Sequence, residues 1–405
     1  MFDLETILKP HTYKNQIWSI MNQIRKPLLK SAYSFPFISK CIDLPKGHYA
    51  SSVEYSQVCK TENLSDVIYR KFLPPFVSHR NPPKSIDEEI HWKFDGRYKH
   101  SNPETFVISI PNGRVIGKAG TILTHDDKLL LDASGVDSIK NYIFPYLKRP
   151  KCELIQETVA VLATGAGGKY YHWLLEALPR LEILRKTIPG GLDSIDKFIV
   201  NKGVSAITES LEILGIPSNK LLFCGSDSYI QAVSLVVPSL PGSTGDPPSW
   251  VSTFFRENFS NLRKDINLPA RLYISRAKAG YRKVRNEESV IKCLSNYEFT
   301  TVHLEDYSFT KQIALLSNAK VIVAPHGAGL SNLVWCNPEA KILEIFSPNY
   351  VNVCFWAIAN QVGLDYFYLI GDGQKIPNCI DPHLVQDDIT VSIEKLSLTL
   401  EAVLK

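Results

Sequence analysis

The sequence predicts an α/β protein of two Rossmann-like, doubly wound domains facing a cleft, with a small β element ahead of them and a helix behind. Three observations predict it. From about residue 153, strand-length apolar runs alternate with helix-length amphipathic ones. The alternation breaks at a Gly/Pro loop, PGSTGDPPS at 241–249, and starts again near 270. The chain has 405 residues, 44% of them hydrophobic, which is more than one simple core accommodates.

Composition excludes several classes. Aromatic residues make up 10% and run through the chain, so disorder is not its main state. A net charge of +4 is small for this length and implies no wholesale binding of nucleic acid. No stretch approaches the 18 or so consecutive apolar residues of a spanning helix, and MFDLETILKPHTYK lacks the order of a signal peptide. The eight cysteines are scattered, without C-x-x-C or zinc spacing, and read as free thiols of a reducing compartment. Asn63 and Asn258 lie in N-x-S sequons, a pattern common by chance.

The elements follow in order. Residues 1–100 form an extension with no assignment. Between 7 and 42 it has no acidic residue but carries Lys9, Lys14, Arg25, Lys26, Lys30 and Lys40, with Trp18, Ile17, Ile20, Met21 and Ile24 at helical spacing. This reads either as a helix docked on the body or as a peripheral contact with an anionic membrane. Residues 50–100 are Pro-rich and expected as loops wrapping a domain surface.

The first domain is placed at 101–265. In FVISIPNGRVIGKAGTILTHDDKLLLD, Asn112-Gly113 and Asp126-Asp127 between apolar runs predict hairpins. ETVAVLAT is a buried strand, followed by Gly165-Ala-Gly-Gly and a helix from about 169 to 187. DKFIVN, SAITESLEILGI, LLFCG, QAVSLVVPSL and WVSTFFRENFSNLRK continue the alternation. The second domain, 266–385, has strands RLYISR, FTTVHLED, KVIVAP, KILEIFSP and DYFYLIGD, with helices NEESVIKCLSNY, SFTKQIALLSNA, AGLSNLVWC and VNVCFWAIANQVG between them. Residues 386–405 are a final amphipathic helix.

Four segments can carry chemistry. Pro325-His326-Gly327-Ala328-Gly329-Leu330 ends a strand and opens a helix, where backbone N–H groups can meet an anion. Ser275-Arg276 closes the first strand of the second domain, and the loop behind it holds Lys278, Arg282, Lys283 and Arg285 with no acid before Asn286 caps a helix. Guanidinium forks there suit a diphosphate. In Tyr171-His172-Trp-Leu-Leu-Glu176-Ala-Leu-Pro179-Arg180, a helical period puts His172, Glu176 and Arg180 on one stripe, with Pro179 disturbing it. Glu344 stands inside the apolar strand KILEIF and needs donors, such as sugar hydroxyls. Each segment also reads as plain structure: a tight turn, a solvated basic loop, an internal hydrogen bond, a strand end. No Asp-x-Asp occurs, so a metal-bridged diphosphate site of that kind is not expected.

Together, Tyr-Tyr-His-Trp-Leu-Leu-Glu-Ala-Leu-Pro-Arg, Ile-Ser-Arg followed by Arg and Asn-Glu, and Pro-His-Gly-Ala-Gly-Leu-Ser-Asn resemble glycosyltransferase family 61 over roughly residues 106–372. The resemblance implies a GT-B-like fold and an inverting, metal-independent transfer from a nucleotide sugar, UDP-linked, with no other cofactor. Arg276, Arg282, His326, Gly327, Ala328, Gly329, Leu330 and Glu344 would bind the donor. Glu176 and His172 would be catalytic, Glu176 being the first choice as base, and Arg180 and Tyr171 would face the acceptor or cleft. The acceptor would be a saccharide, free or lipid-linked. Without an anchor, the chain looks more like members of bacterial capsule and exopolysaccharide synthesis, in the cytoplasm or on the inner face of the membrane. Two alternatives remain: a polysaccharide pyruvyl transferase-type enzyme of GT-B-like fold, and a catalytically silent nucleotide- or sugar-binding protein.

Overall fold

The structure is a computed structural model and describes residues 45–64, 66–87, 89–134, 149–263, 268–374, 379 and 384–405. The basic N-terminal stretch of residues 9–40, with its expected helix and membrane contact, lies outside the described residues.

The chain folds as mixed α/β with two principal sheets. In chain order the strands are β1 (Gly47–Tyr49), β2 (Ile68–Leu73), β3 (Phe76–His79), β4 (Lys99–Asn102), β5 (Thr105–Pro111), β6 (Arg114–Ile116), β7 (Thr121–Leu123), β8 (Lys128–Leu130), β9 (Glu153–Val161), β10 (Lys197–Asn201), β11 (Leu221–Cys224) and β12 (Tyr229–Pro238). All but β3 and β4, which pair with each other, join one sheet whose main order is β1-β8-β7-β6-β12-β9-β10-β11. Its β12, β9, β10 and β11 are mutually parallel, and their connections cross over through helices at Arg180–Thr187 and Ala206–Ile213.

The expected hairpin at Asn112-Gly113 does not form. Here β5 and β6 lie end to end along β12, Pro111 opposite Ser234 and Arg114 opposite Gln231, in one unbroken antiparallel register. Asn112, at φ 52°, and a bond from Gly113 N–H to Ile110 O make a local turn, yet the pairing continues because both halves bury apolar residues on the same partner. Gly113 lets it do so, since a Cβ there would come within 2.8 Å of the Leu235 Cβ. The small β element is therefore part of the first sheet. Asp126-Asp127 does turn β7 into β8, with Asp127 at φ 67°.

The second sheet has β13 (Arg271–Ile274), β14 (Thr300–Val302), β15 (Val321–Pro325), β16 (Lys341–Phe346) and β17 (Asp365–Ile370). All five are parallel, in the order β14-β13-β15-β16-β17. The order reverses between β13 and β15, and such a switch point opens a crevice at the strands' C-terminal ends. Arg276 follows β13 and His326 follows β15, so the two motifs flank that crevice. Helices Glu287–Ser295, Phe309–Asn318 and Cys354–Val362 stand where the alternation predicts, and Ile393–Leu404 closes the chain. AGLSNLVWC is instead a 3-10 helix, Ala328–Trp335. The side chain of Asn286 does not cap its helix, because its amide is engaged with both backbone groups of Val391.

The two sheets share one hydrophobic core. Trp173 and Phe198 belong to the same buried cluster as Leu272, Trp335 and Trp356. Helix Ser249–Asn258 lies at the join, its Phe255 ring 4.8 Å from that of Trp335. The Pro-rich segment after β3 also spans the join. Lys84 exchanges backbone hydrogen bonds with Tyr366 and Tyr368 on the edge strand β17, and Phe94 stacks 4.9 Å from Tyr368.

Candidate active site

The His172 segment starts as a single helical turn at Tyr170–His172, widens into a π-helical turn at Trp173–Ala177, and resumes as an α-helix only at Arg180. Pro179 has no N–H to give and crowds the carbonyl one turn back, so the wider turn relieves it. His172 and Glu176 remain neighbours: Nδ1 of His172 lies 2.8 Å from Oε2 of Glu176. The other carboxylate oxygen, Oε1, is buried without a partner.

The widened turn swings Arg180 off the expected stripe. Its guanidinium is buried, donating to Ala163 O at 2.9 Å and, through Nε and a second nitrogen, to Pro238 O. These carbonyls end β9 and β12, so Arg180 ties together the C-terminal ends of two parallel strands. These bonds fix the guanidinium to backbone, at the edge of a small cavity that it lines with His172 and Glu176.

The second cluster lies at the crevice of the second sheet. Beyond the end of β15, His326 is 4% exposed, and its Nδ1 sits 2.5 Å from Oε1 of Glu344 on β16. Tyr366 on β17 donates to Oε2 of Glu344 at 2.6 Å. Both oxygens of Glu344 are thus taken inside the protein, which corrects the expectation that it meets sugar hydroxyls: it orients His326. Burial pushes Glu344 well above the usual carboxylate range. Burial, with the charges of Arg282 and Arg276, holds His326 well below its ordinary value. The pair therefore carries one shared proton without net charge, and Nε2 is the nitrogen left for a ligand.

Arg276 packs flat on Gly327, where a Cβ would fall 1.7 Å from its guanidinium. It donates to the carbonyls of Tyr281, at 3.0 Å, and Arg282, at 3.3 Å, and so folds the basic loop back on itself. That fold holds Arg282 at φ 56° with its guanidinium between the rings of Tyr281 and Tyr350, 4.8 and 5.1 Å from their centroids. Nε of Arg282 is buried without a partner. Burial and the neighbouring Arg282 lower the pKa of Arg276, so an anion near both would relieve a standing repulsion. Leu330 contributes less than expected, because its amide donates to Gly327 O within the 3-10 turn.

Two cavities meet at this turn. One, of about 380 Å³, is lined by His172, Tyr171, Arg282, His326 and Gly327 together with Arg97, Lys169, Tyr350 and Asn352. Its one carboxylate, Asp246, is held by Arg80 at 2.5 Å. The hydroxyl of Tyr171 is buried there unpartnered. The other, of about 330 Å³, is bounded by Tyr307, Phe309, Leu304, Gln312, Asn332, Glu305 and Arg276. Ala328 lines both. A larger cavity of about 760 Å³ opens at the opposite, N-terminal ends of these strands, around Arg271, Lys320 and Lys341, away from the end of a parallel sheet where ligands bind.

The sequence reading brought His172, Glu176, Tyr171, Arg276, Arg282, His326 and the Gly327–Gly329 turn to this region. It missed Arg97, Lys169, Tyr350 and Asn352, which carry no local signal, and Tyr366, whose partner Glu344 lies on the neighbouring strand rather than nearby in sequence. Lys278 leaves the loop to pair with Asp306. Among the described residues no group of three His, Cys, Asp or Glu side chains could hold a metal ion, and no helix is long and apolar enough to cross a membrane.

Comparison with known proteins bears on the same segment. Residues 170–343 match the family model described as Glycosyltransferase 61. The EGF domain-specific O-linked N-acetylglucosamine transferase of Drosophila melanogaster is 32% identical over 97 residues, 23% of this chain and 18% of that protein. Beta-1,2-xylosyltransferase RCN11 of Oryza sativa subsp. japonica is 38% identical over 56 residues, 14% of this chain and 10% of its own length. Beta-1,2-xylosyltransferase of Arabidopsis thaliana is 36% identical over 63 residues, 16% and 12% respectively. The chain thus matches less than a fifth of each relative. The stretch from Tyr170 to Leu343, which supplies the His172–Glu176 turn, the arginine loop and the His326 turn, is similar to glycosyltransferase family 61.

Proposed function

We propose that the protein is a glycosyltransferase that moves a sugar from a UDP-linked donor to a saccharide acceptor, with inversion and without a metal. The observation that carries this is the pair of cavities meeting at Ala328. The apolar one, with Tyr307 and Phe309 as walls and Gln312 and Asn332 as polar groups, suits a nucleoside. The cation-lined one suits a diphosphate and its sugar. Between them run Arg276, Arg282 and the turn at Gly327–Gly329. In a GT-B-like arrangement the second sheet would hold the donor and the first sheet would present the acceptor.

The chemistry follows from the side chains. Departure of the nucleoside diphosphate builds charge on its β-phosphate, where Arg282, Arg276, the neutral His326 Nε2–H and the backbone amides of the turn can receive it. Because the sequence has no Asp-x-Asp, these groups are the proposed substitute for a metal. An acceptor hydroxyl attacking the anomeric carbon must lose a proton, and the His172–Glu176 pair, whose imidazole lines the cation-lined cavity, is the proposed acid–base unit with Glu176 as base. A role in surface-polysaccharide synthesis, at the inner face of the membrane, is the proposed setting. The relatives' names, an N-acetylglucosamine transferase and two xylosyltransferases, favour a neutral sugar.

Titration calorimetry with UDP, GDP, CMP and phosphoenolpyruvate tests the reading. UDP should bind, and Arg282→Ala should weaken it at least tenfold, since a charge-assisted phosphate contact contributes ~1.5–3 kcal/mol. Binding of phosphoenolpyruvate alone would favour the pyruvyl transferase alternative. UDP binding without any hydrolysis or transfer of a UDP-sugar would favour a silent binder.

A further inference from the structure

A third cavity, of about 220 Å³, lies behind the His172–Glu176 turn and is walled by Ala133, Ser134, Thr164, Ala166, Glu176 and Thr244, among others. It sits over the C-terminal ends of β9 and β12, the strands that Arg180 ties together. His172 and Thr244 line both this cavity and the cation-lined one, so the two are separated by little more than an imidazole.

Two of its polar side chains are more than nine-tenths buried and have an unused atom: Glu176, 7% exposed, at Oε1, and Thr164, 6% exposed, at Oγ1. Buried polar atoms are almost always partnered in the state in which a protein works. Here an unpartnered carboxylate oxygen and an unpartnered hydroxyl belong to residues that line one small space, and together they suit a vicinal hydroxyl pair, one donating and one accepting. The charges differ from those next door. The titratable side chains lining this cavity are His172, Glu176 and Arg180, and the guanidinium, bonded to the neutral carbonyls of Ala163 and Pro238, balances the carboxyl of Glu176. The wall thus carries no surplus positive charge to hold an anion. The volume is below the ~300–1,000 Å³ of pockets for drug-sized molecules, which leaves room for one sugar ring.

We infer that this cavity is the acceptor subsite and takes the terminal residue of a neutral saccharide, with the attacking hydroxyl hydrogen-bonded to Glu176 Oε1 and a neighbouring hydroxyl to Thr164 Oγ1. The inference rests on the glycosyltransferase reading above and specifies the acceptor for it. In the step, the acceptor oxygen bonds to the anomeric carbon and its proton passes to Glu176 Oε1. The bond from that carbon to the β-phosphate oxygen breaks, and its electron pair leaves with the nucleoside diphosphate.

The test uses the full chain, a panel of UDP-sugars, and as acceptors the p-nitrophenyl β-glycosides of xylose, glucose, galactose and N-acetylglucosamine, with the glucuronide as the anionic counterpart. Neutral glycosides should be extended and the glucuronide should not. Thr164→Val, which keeps shape but loses the hydroxyl, should raise the glycoside KM about tenfold. Ala166→Leu, which fills the cavity, should abolish transfer; if that variant does not fold, Thr164→Val carries the test. A wild type that binds no nucleotide overturns the glycosyltransferase reading itself. A wild type that transfers while both variants keep its glycoside KM overturns the cavity assignment alone. So does equal use of the glucuronide, or refusal of every neutral glycoside with a donor that the protein hydrolyses.

Discussion

The molecule contains the same pair of side chains twice, in two different environments. On the first sheet's side, His172 and Glu176 meet at 2.8 Å with the side chains 26% and 10% exposed. On the second, His326 and Glu344 meet at 2.5 Å with 5% and 0%. The difference lies in the carboxylates. Glu176 uses one oxygen and keeps one free, whereas Glu344 uses both, the second on Tyr366. A carboxylate with a free oxygen beside a cavity can take a proton from a ligand; a saturated, buried one can only hold its histidine in place. A histidine near a glutamate is therefore not one motif: what the glutamate does with its second oxygen decides the role.

Removing each carboxylate separates them most strongly in stability. Glu344→Leu leaves Nδ1 of His326 and the Tyr366 hydroxyl buried without partners, and should cost about 3 kcal/mol in denaturant unfolding. Glu176→Leu strands only a partly exposed imidazole and should cost about 1 kcal/mol or less. Equal losses would erase the distinction.

The pH dependence sharpens the same contrast by a smaller amount. Below 4.5, the ordinary carboxyl value, the unfolded pair binds two protons and the folded pair one, so stability falls as the pH drops. Between 4.5 and the ordinary histidine value of 6.5, each state binds one, and the pair contributes no slope. Above 6.5 the unfolded pair has lost a proton that the raised pKa of Glu344 retains in the fold, so stability falls again, by up to ~1.4 kcal/mol per pH unit. In unfolding curves of the wild type minus those of Glu344→Gln the histidine cancels, so the difference should be level below 4.5 and fall steadily above it. A difference that increases above pH 7 would contradict the shared proton.

Much of this was legible in the sequence. All five strands of the second sheet stand where they were expected: β15, β16 and β17, buried on both faces, read as continuous apolar words, while the edge strand β14 is only Thr-Thr-Val. In the first sheet the buried part of β9 was legible for the same reason, but its exposed start at residues 153–156 was not. The route of Asn112-Gly113 was not: a hairpin and a straight passage share the same alternating residues, and only β12, more than a hundred residues on, decides between them. Arg180 was misplaced because an α-helical period was assumed through a proline that widens the turn. Glu344 was correctly singled out as a buried carboxylate in need of donors, but the donors came from strands and turns that no local spacing reveals. Arg97 and Lys169 reach the cation-lined cavity from a loop and a turn whose sequences carry no chemical signature.

The central claim is that Glu176 takes the proton and Glu344 only orients. It is tested most directly by the kcat of Glu176→Gln and Glu344→Gln side by side, with a UDP-sugar and a p-nitrophenyl glycoside that the wild type joins. Glutamine keeps the shape and a hydrogen bond at each position but cannot accept a proton. Turnover should fall by ~10²–10⁴ in Glu176→Gln with UDP affinity retained, and by less than about tenfold in Glu344→Gln. The reverse order, or near-normal turnover in Glu176→Gln, would contradict the account.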